Sequence, residues 1–183
     1  MAELSTSRLW LMRAAFPGLA LLIMFFQLLP LDTVPRRWAA PDLLIALAFA
    51  WSLRRPDYVP IISLALVMLM ADLMLQRPPG LLAMLLVLGC EYLKTQTAGL
   101  REASFAGEWA AVSMVLVGIT VLNRLILLIV AVQPAPLGLS LIQMVLTIAI
   151  YPAVVFVSQS LMGVRKPAPG DAGALNTRTR ART

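Results

Sequence analysis

Histidine is absent from this sequence and cysteine occurs once, at Cys90. No intrachain disulfide can form, zinc sites built from Cys and His are excluded, and histidine triads and proton relays go with them. Charge is scarce as well, at 13% of residues, where soluble domains carry about 25%. What fills the chain instead is apolar: 60% of its 183 residues are hydrophobic. A soluble domain of this size would still need a polar surface. A lipid-facing exterior removes that need, so composition reads as an all-α integral membrane protein. The formal charge is +6, yet the basic residues are scattered between apolar runs rather than gathered on one face. That pattern speaks against a nucleic-acid partner and assigns the charge to membrane topology.

Proline, glycine and arginine punctuate the apolar runs into six segments, about 9–29, 38–53, 58–75, 80–93, 109–132 and 137–162. The boundaries fall at Pro30, Arg54-Arg55-Pro56, the run from Gln76 to Gly80, and Gln133-Pro134-Ala135-Pro136, as expected where helices must stop. No small-residue cleavage site follows the first run, which is expected to be retained as a helix. Segments one, three, five and six are long enough for a ~30 Å hydrocarbon core. Segments two and four reach only about 24 and 20 Å at ~1.5 Å per residue. They must thin the bilayer, be buried among neighbours, or turn back as re-entrant hairpins. Residues 163–183 form a polar, basic tail with too little apolar surface to fold alone, expected to be a disordered cytoplasmic extension.

Basic residues orient the bundle. With six spans and both termini inside, eleven of them (Arg8, Arg13, Arg54, Arg55, Lys94, Arg101, Arg165, Lys166, Arg178, Arg180 and Arg182) are cytoplasmic, against Arg36, Arg37 and Arg77 outside. With segments two and four re-entrant the division is ten against four, nearly as good. Six spans are preferred because Arg-Arg-Pro after segment two reads as a stop at an interface.

Ionisable groups at membrane depth are costly and face a partner or a cavity. The candidates are Asp42, Asp72 and Arg124, with Asn123 beside the last, and Glu91 near Lys94. Asp72 lies about 21 Å from the inner start of segment three and Arg124 about 22 Å beyond Trp109. Asp42 opens segment two on the same side. Three readings follow: a buried cluster in which Arg124 pairs with Asp72, Asp42 or both, a pocket for a charged ligand, or Arg124 snorkelling while Asp42 caps its helix. Glu91 and Lys94 are spaced to meet on one helical face. Gln143, Tyr151 and Gln159 form one stripe of candidate interhelical hydrogen bonds. Trp10, Trp38, Trp51, Tyr58, Tyr92 and Trp109 fall near segment ends as an aromatic belt would, and Ala46 and Ala50 form a small-xxx-small step. No spacing is catalytic, and no metal or cofactor is expected.

The order of these features resembles a known family. Pro41-Asp42-Leu43 opens a helix ending Leu53-Arg54-Arg55-Pro56. The next ends Ala71-Asp72-Leu73-Met74, followed by Gln76-Arg77-Pro78-Pro79-Gly80-Leu81, and Asn123-Arg124 lies in a later helix. Over roughly 9–162 the chain resembles the rod shape-determining protein MreD family of bacterial inner membranes. Where that family often has glycine just before the third-helix Asp, this chain has Met70 and Ala71. The resemblance implies a six-helix transmembrane bundle similar to energy-coupling-factor transporter S subunits, with two helices short. It implies a non-enzymatic subunit of the bacterial inner membrane associated with MreC, MreB, RodA and a class-B penicillin-binding protein. Partner contacts are then expected at Arg36, Arg37 and Arg77 outside, and at Arg54, Arg55, the 94–108 loop or the tail inside. A small-molecule transporter subunit using the Asp42–Asp72–Arg124 region is the alternative.

Overall fold

The computed structural model describes residues 2–29, 39–96 and 105–162. Among them it forms six α-helices and no strand: α1 (Ala2–Leu28), α2 (Leu43–Arg54), α3 (Ile61–Met74), α4 (Leu81–Thr95), α5 (Phe105–Ile129) and α6 (Leu137–Met162), with a 3₁₀ turn at Pro56–Tyr58. Stretches of α1, α5 and α6 are long and apolar enough to cross a bilayer, and the chain is a helical membrane protein. Arg36, Arg37 and the tail at 163–183 lie outside the described residues.

Helix limits differ from the sequence expectation for local reasons. Segment two was expected from Trp38, but Ala39–Asp42 are not helical and α2 starts at Leu43, where the Asp42 carboxylate accepts the Ile45 N–H at 3.2 Å. Segment three was expected to be long. Pro56 instead starts a 3₁₀ turn through Tyr58 and Pro60 is the N-cap of α3, leaving 14 residues, about 21 Å. Three helices are therefore short rather than two. Segment five begins earlier, at Phe105, and stops at Ile129 rather than Val132.

Helices α3 and α5 end alike. The Arg77 N–H reaches the Asp72 carbonyl at 2.9 Å and the Gln76 N–H the Leu73 carbonyl at 3.4 Å, while Val132 and Ala131 make the same two bonds to Leu127 and Leu128. These are paired Schellman turns, in which one left-handed residue reverses the chain and a proline follows soon after. Gln76 and Ala131 hold that conformation at φ 53° and 58°. It costs an L-residue ~1–2 kcal/mol, a cost offset by the two carbonyls each turn satisfies.

Interior and exterior are inverted relative to a soluble domain. Large apolar side chains face outward, with Ile62 74%, Met114 77% and Ile129 82% exposed. Exposed apolar surface on this scale marks contact with lipid or partners. At the centre, every residue of α2 from Leu44 to Arg54 is buried. A helix apolar on all sides belongs in a core, and α2 packs against α1, α4 and α6, with α3 and α5 completing the surrounding arc. Ala46 and Ala50, the small-residue step, are both buried here. Gly89 on α4 allows the close approach of α5, since a Cβ there would stand 2.8 Å from Ile119 Cδ1 and 3.0 Å from Val115 Cγ1. Trp51 does not join an aromatic belt. It is fully buried, donates to Ser158 Oγ at 3.2 Å and packs on Phe16 and Tyr58.

The C-terminal end of α2 is anchored by charge. Arg54 donates through Nε and Nη2 to the two Glu108 carboxylate oxygens at 3.1 and 3.3 Å, and Tyr151 Oη donates to Glu108 Oε1 at 2.8 Å. The guanidinium also lies 5.9 Å from the Phe105 ring centroid. All three polar residues are buried. Arginine suits this site because its planar fork matches a carboxylate with two parallel bonds. Arg54 is thus not the cytoplasmic partner-facing residue expected from sequence, because its guanidinium is consumed in the core. Arg55 turns instead to the Tyr58 ring, 5.8 Å away. The expected Glu91–Lys94 pair forms at 2.7 Å, and Lys94 also reaches the Val59 carbonyl.

Removing one partner of a buried pair strands a charge and costs ~3–5 kcal/mol, whereas replacing the whole group with apolar side chains costs far less. Glu108→Ala is therefore expected to destabilise the bundle by that amount in denaturant titration of the detergent-solubilised chain. Combining Glu108→Leu with Arg54→Met and Tyr151→Phe should recover most of the loss. Equal stability of Glu108→Ala and the parent chain would contradict the anchoring role.

Candidate functional site

At the other end of α2 the polar residues singled out from sequence gather round a cavity of about 570 Å³. Five of them line it: Asp42, Arg77, Asn123, Arg124 and Gln143. Asp42 comes from the α2 N-cap, Arg77 from the turn after α3, and Asn123 and Arg124 from the last turns of α5. The α6 N-terminal half closes the opposite wall with Ser140, Gln143 and Thr147.

Asp42 is fixed from three directions. One oxygen caps α2 through the Ile45 N–H, and the other accepts from Arg77 Nη2 at 2.9 Å. Its backbone N–H donates to Thr147 Oγ1 at 2.9 Å, and Thr147 in turn donates to the Gln143 carbonyl at 2.7 Å. A carboxylate at a helix N-terminus is favoured by both the free N–H groups and the helix dipole. Arg77 was expected to be a loop residue offered to a partner. It is half-buried and holds Asp42, so its charge is already engaged.

Asp72 is also buried but does something else. Its Oδ2 accepts the backbone N–H of Gly80 and of Ala83, both at 3.1 Å. Those groups are the N-cap and third-residue donors at the start of α4, the two a capping box would satisfy. Gly80 has no side chain to do so and sits at φ 85°, a left-handed conformation that favours glycine. A carboxylate on α3 therefore caps α4, which explains physically why Asp72 and Gly80 stand eight residues apart.

The expected pairing of Arg124 with Asp72 or Asp42 does not form. Arg124 Nη1 instead donates to the Ala135 carbonyl at 3.0 Å and to Ser140 Oγ at 3.4 Å. The reason lies in prior claims: Arg77 occupies Asp42, and the α4 N-terminus occupies Asp72. Arg124 has no carboxylate partner among the described residues. Asp72 does not line the cavity, so the expected cluster of four divides into Asp42, Asn123 and Arg124 around it and Asp72 behind the α3–α4 turn.

Three contributors lie outside the residues that the sequence singles out. Hydropathy starts segment five at Trp109 and so leaves Glu108 in the loop before it. A signal was available in the unexplained charge of Arg54 at the end of an apolar helix. Ser140 and Thr147 carried no signal, because hydroxyls are ordinary in spanning helices. Of the polar stripe on α6, Tyr151 serves Glu108 and Gln143 faces the cavity. A second cavity of about 260 Å³ adjoins the first, sharing Arg77 and Gln143 and reaching Gln27 on α1. No group of three or more His, Cys, Asp or Glu suited to a metal occurs among the described residues.

Comparison with family models, curated proteins and solved structures returns no match to this chain.

Because Asp72 caps a helix rather than neutralising Arg124, Asp72→Ala is expected to cost ~1–2 kcal/mol of stability. Asp72→Asn, which keeps the acceptor, should lose less in the same denaturant titration. The reciprocal exchange Asp72→Arg with Arg124→Asp should not rescue Asp72→Arg. Rescue would show that the two side chains are partners.

Proposed function

We propose that the chain is a non-enzymatic subunit of the bacterial cell-elongation machinery in the inner membrane, resembling the MreD family, and that it scaffolds MreC and peptidoglycan synthases. MreB, RodA and a class-B penicillin-binding protein complete the expected set of partners. In this reading the bundle has six spans, like energy-coupling-factor S subunits, with both termini cytoplasmic. The observation that carries it is the ordered set of short motifs. Each has a physical task consistent with a structural scaffold: Asp42 caps and pairs, Arg54 anchors, Asp72 and Gly80 start α4, and Asn123-Arg124 line the cavity. Further support comes from the broad apolar exterior of α3 and α5, which offers helix faces to lipid or to partner helices.

One observation favours a second reading as a small-molecule-binding membrane subunit. The 570 Å³ cavity falls within the ~300–1,000 Å³ range of ligand sites and mixes apolar walls with a few convergent polar groups.

Depletion of the chain from its native bacterium should round the cells in phase-contrast imaging, and affinity purification from native membrane should recover MreC. Rods of unchanged width after complete depletion would overturn the scaffold reading.

A further inference from the structure

We propose that the cavity at the Asp42 end is a binding site for a singly charged phosphate or phosphodiester group, held by Arg124. This deepens the ligand-binding reading and rests on it. It does not depend on a role in the rod complex.

Charge carries the first step. Among the described residues, Asp42, Arg77 and Arg124 are the only charged ones lining the cavity. Asp42 and Arg77 neutralise each other at 2.9 Å, which leaves one positive charge, on Arg124. That residue lies on a stretch of α5 whose outward face is apolar, with Val121, Leu122, Leu125 and Leu128 all exposed. A guanidinium in such surroundings turns inward and requires a counter-charge. Among the described residues none is supplied.

Donor geometry carries the second step. Among the described residues only Nη1 of Arg124 is used, by a backbone carbonyl and a hydroxyl, although a guanidinium has five N–H donors. These two bonds fix the planar group without neutralising it, and the fork suits phosphate oxygens. The side-chain amides of Asn123, Gln133 and Gln143 stand round the same space and make no hydrogen bond among the described residues. An anion with several acceptor oxygens would engage them, whereas a cation would meet Arg124 directly.

The walls give the third step. Leu82, Leu116, Leu127 and Met144 line the cavity beside the polar groups, so its surface is amphipathic. Arg124 stands five residues before the end of α5 at Ile129, about 7.5 Å along the axis. A lipid phosphodiester and a soluble phosphate compound share the required chemistry, and the test separates them.

The full-length chain, purified in mild detergent, is examined by native mass spectrometry with phosphatidylglycerol or phosphatidylcholine added, and by thermal melting with inorganic phosphate. The lipid arm predicts retention of phosphatidylglycerol over zwitterionic phosphatidylcholine, reduced at least about tenfold in Arg124→Gln, the loss expected for a hydrogen-bonded charge. Gln133→Glu, at an exposed rim position, places a resident carboxylate in the cavity without removing Arg124, and should weaken retention even if Arg124→Gln folds poorly. Stabilisation by inorganic phosphate without phosphatidylglycerol retention, abolished by either substitution, would support the same chemistry with a soluble source. Equal retention of both lipids that Arg124→Gln leaves unchanged, with no phosphate effect, would overturn the proposal. Co-purification of an uncharged molecule unaffected by Gln133→Glu would overturn it while leaving a ligand-binding cavity in place. Absence of any ligand or response would remove both.

Discussion

Everything in this bundle is arranged around α2, a helix of 12 residues that is buried almost from end to end and carries an opposite charge at each terminus. Asp42 at its N-terminus and Arg54 at its C-terminus both complement the helix dipole. Neither can be left unpaired in a low-dielectric interior, because an isolated buried charge is far costlier than a paired one. Each therefore recruits a partner from a distant part of the chain: Arg77 after α3, and Glu108 in the first turn of α5. The two pairs set where α2 sits along the bundle axis and which elements lie at each end. Apolar packing alone would do this poorly, since leucine faces slide over one another with little preference.

The two ends serve different purposes. At the Arg54 end the charges close completely on each other, with Tyr151 donating a third hydrogen bond and Phe105 covering the guanidinium. Such a closed group is a registry device, specifying which helices meet. At the Asp42 end closure is incomplete. Asp42 and Arg77 form one pair, Asp72 is engaged by the α4 N-terminus, and Arg124 has only neutral acceptors among the described residues. The paired Schellman turns after α3 and α5 contribute by reversing the chain beside the cavity, so that Gln76, Val132 and Gln133 form part of its rim. Cavity and turns are thus one construction, with left-handed backbone at Gln76 and Ala131 as its local cost.

A scaffold role and a ligand site are compatible in such a molecule. The apolar outer faces of α3 and α5 and the polar cavity occupy different surfaces, and the buried α2 separates the two charged ends. An anion held at Arg124 would bridge α5 and the start of α6 through Ser140, stiffening the pair of helices joined by the Val130–Pro136 connection. Ligand and partner binding would then be coupled through the packing of α5 and α6, the kind of linkage that needs differential contacts rather than distance.

Composition by itself determined the solvent of this protein. With 60% hydrophobic residues and 13% charged, lipid is the only exterior that removes the need for a polar surface, and proline and glycine positions placed six apolar segments close to the six helices. Asp42, Asn123 and Arg124 were also legible as a group, because ionisable residues in apolar runs stand out against their neighbours. Which charges pair was not legible. Arg124, Asp42 and Asp72 share a similar depth along their segments, and nothing in the linear order reveals that Arg77 reaches Asp42 first or that a helix start at Gly80 claims Asp72. Glu108 was hidden for a related reason, lying one residue outside a segment drawn by hydropathy while the real helix begins three residues earlier at Phe105. Hydropathy reports transfer from water to lipid one residue at a time. Pairing is a competition among donors for each carboxylate, and only the packed helices, with their capping groups and turns in place, decide it.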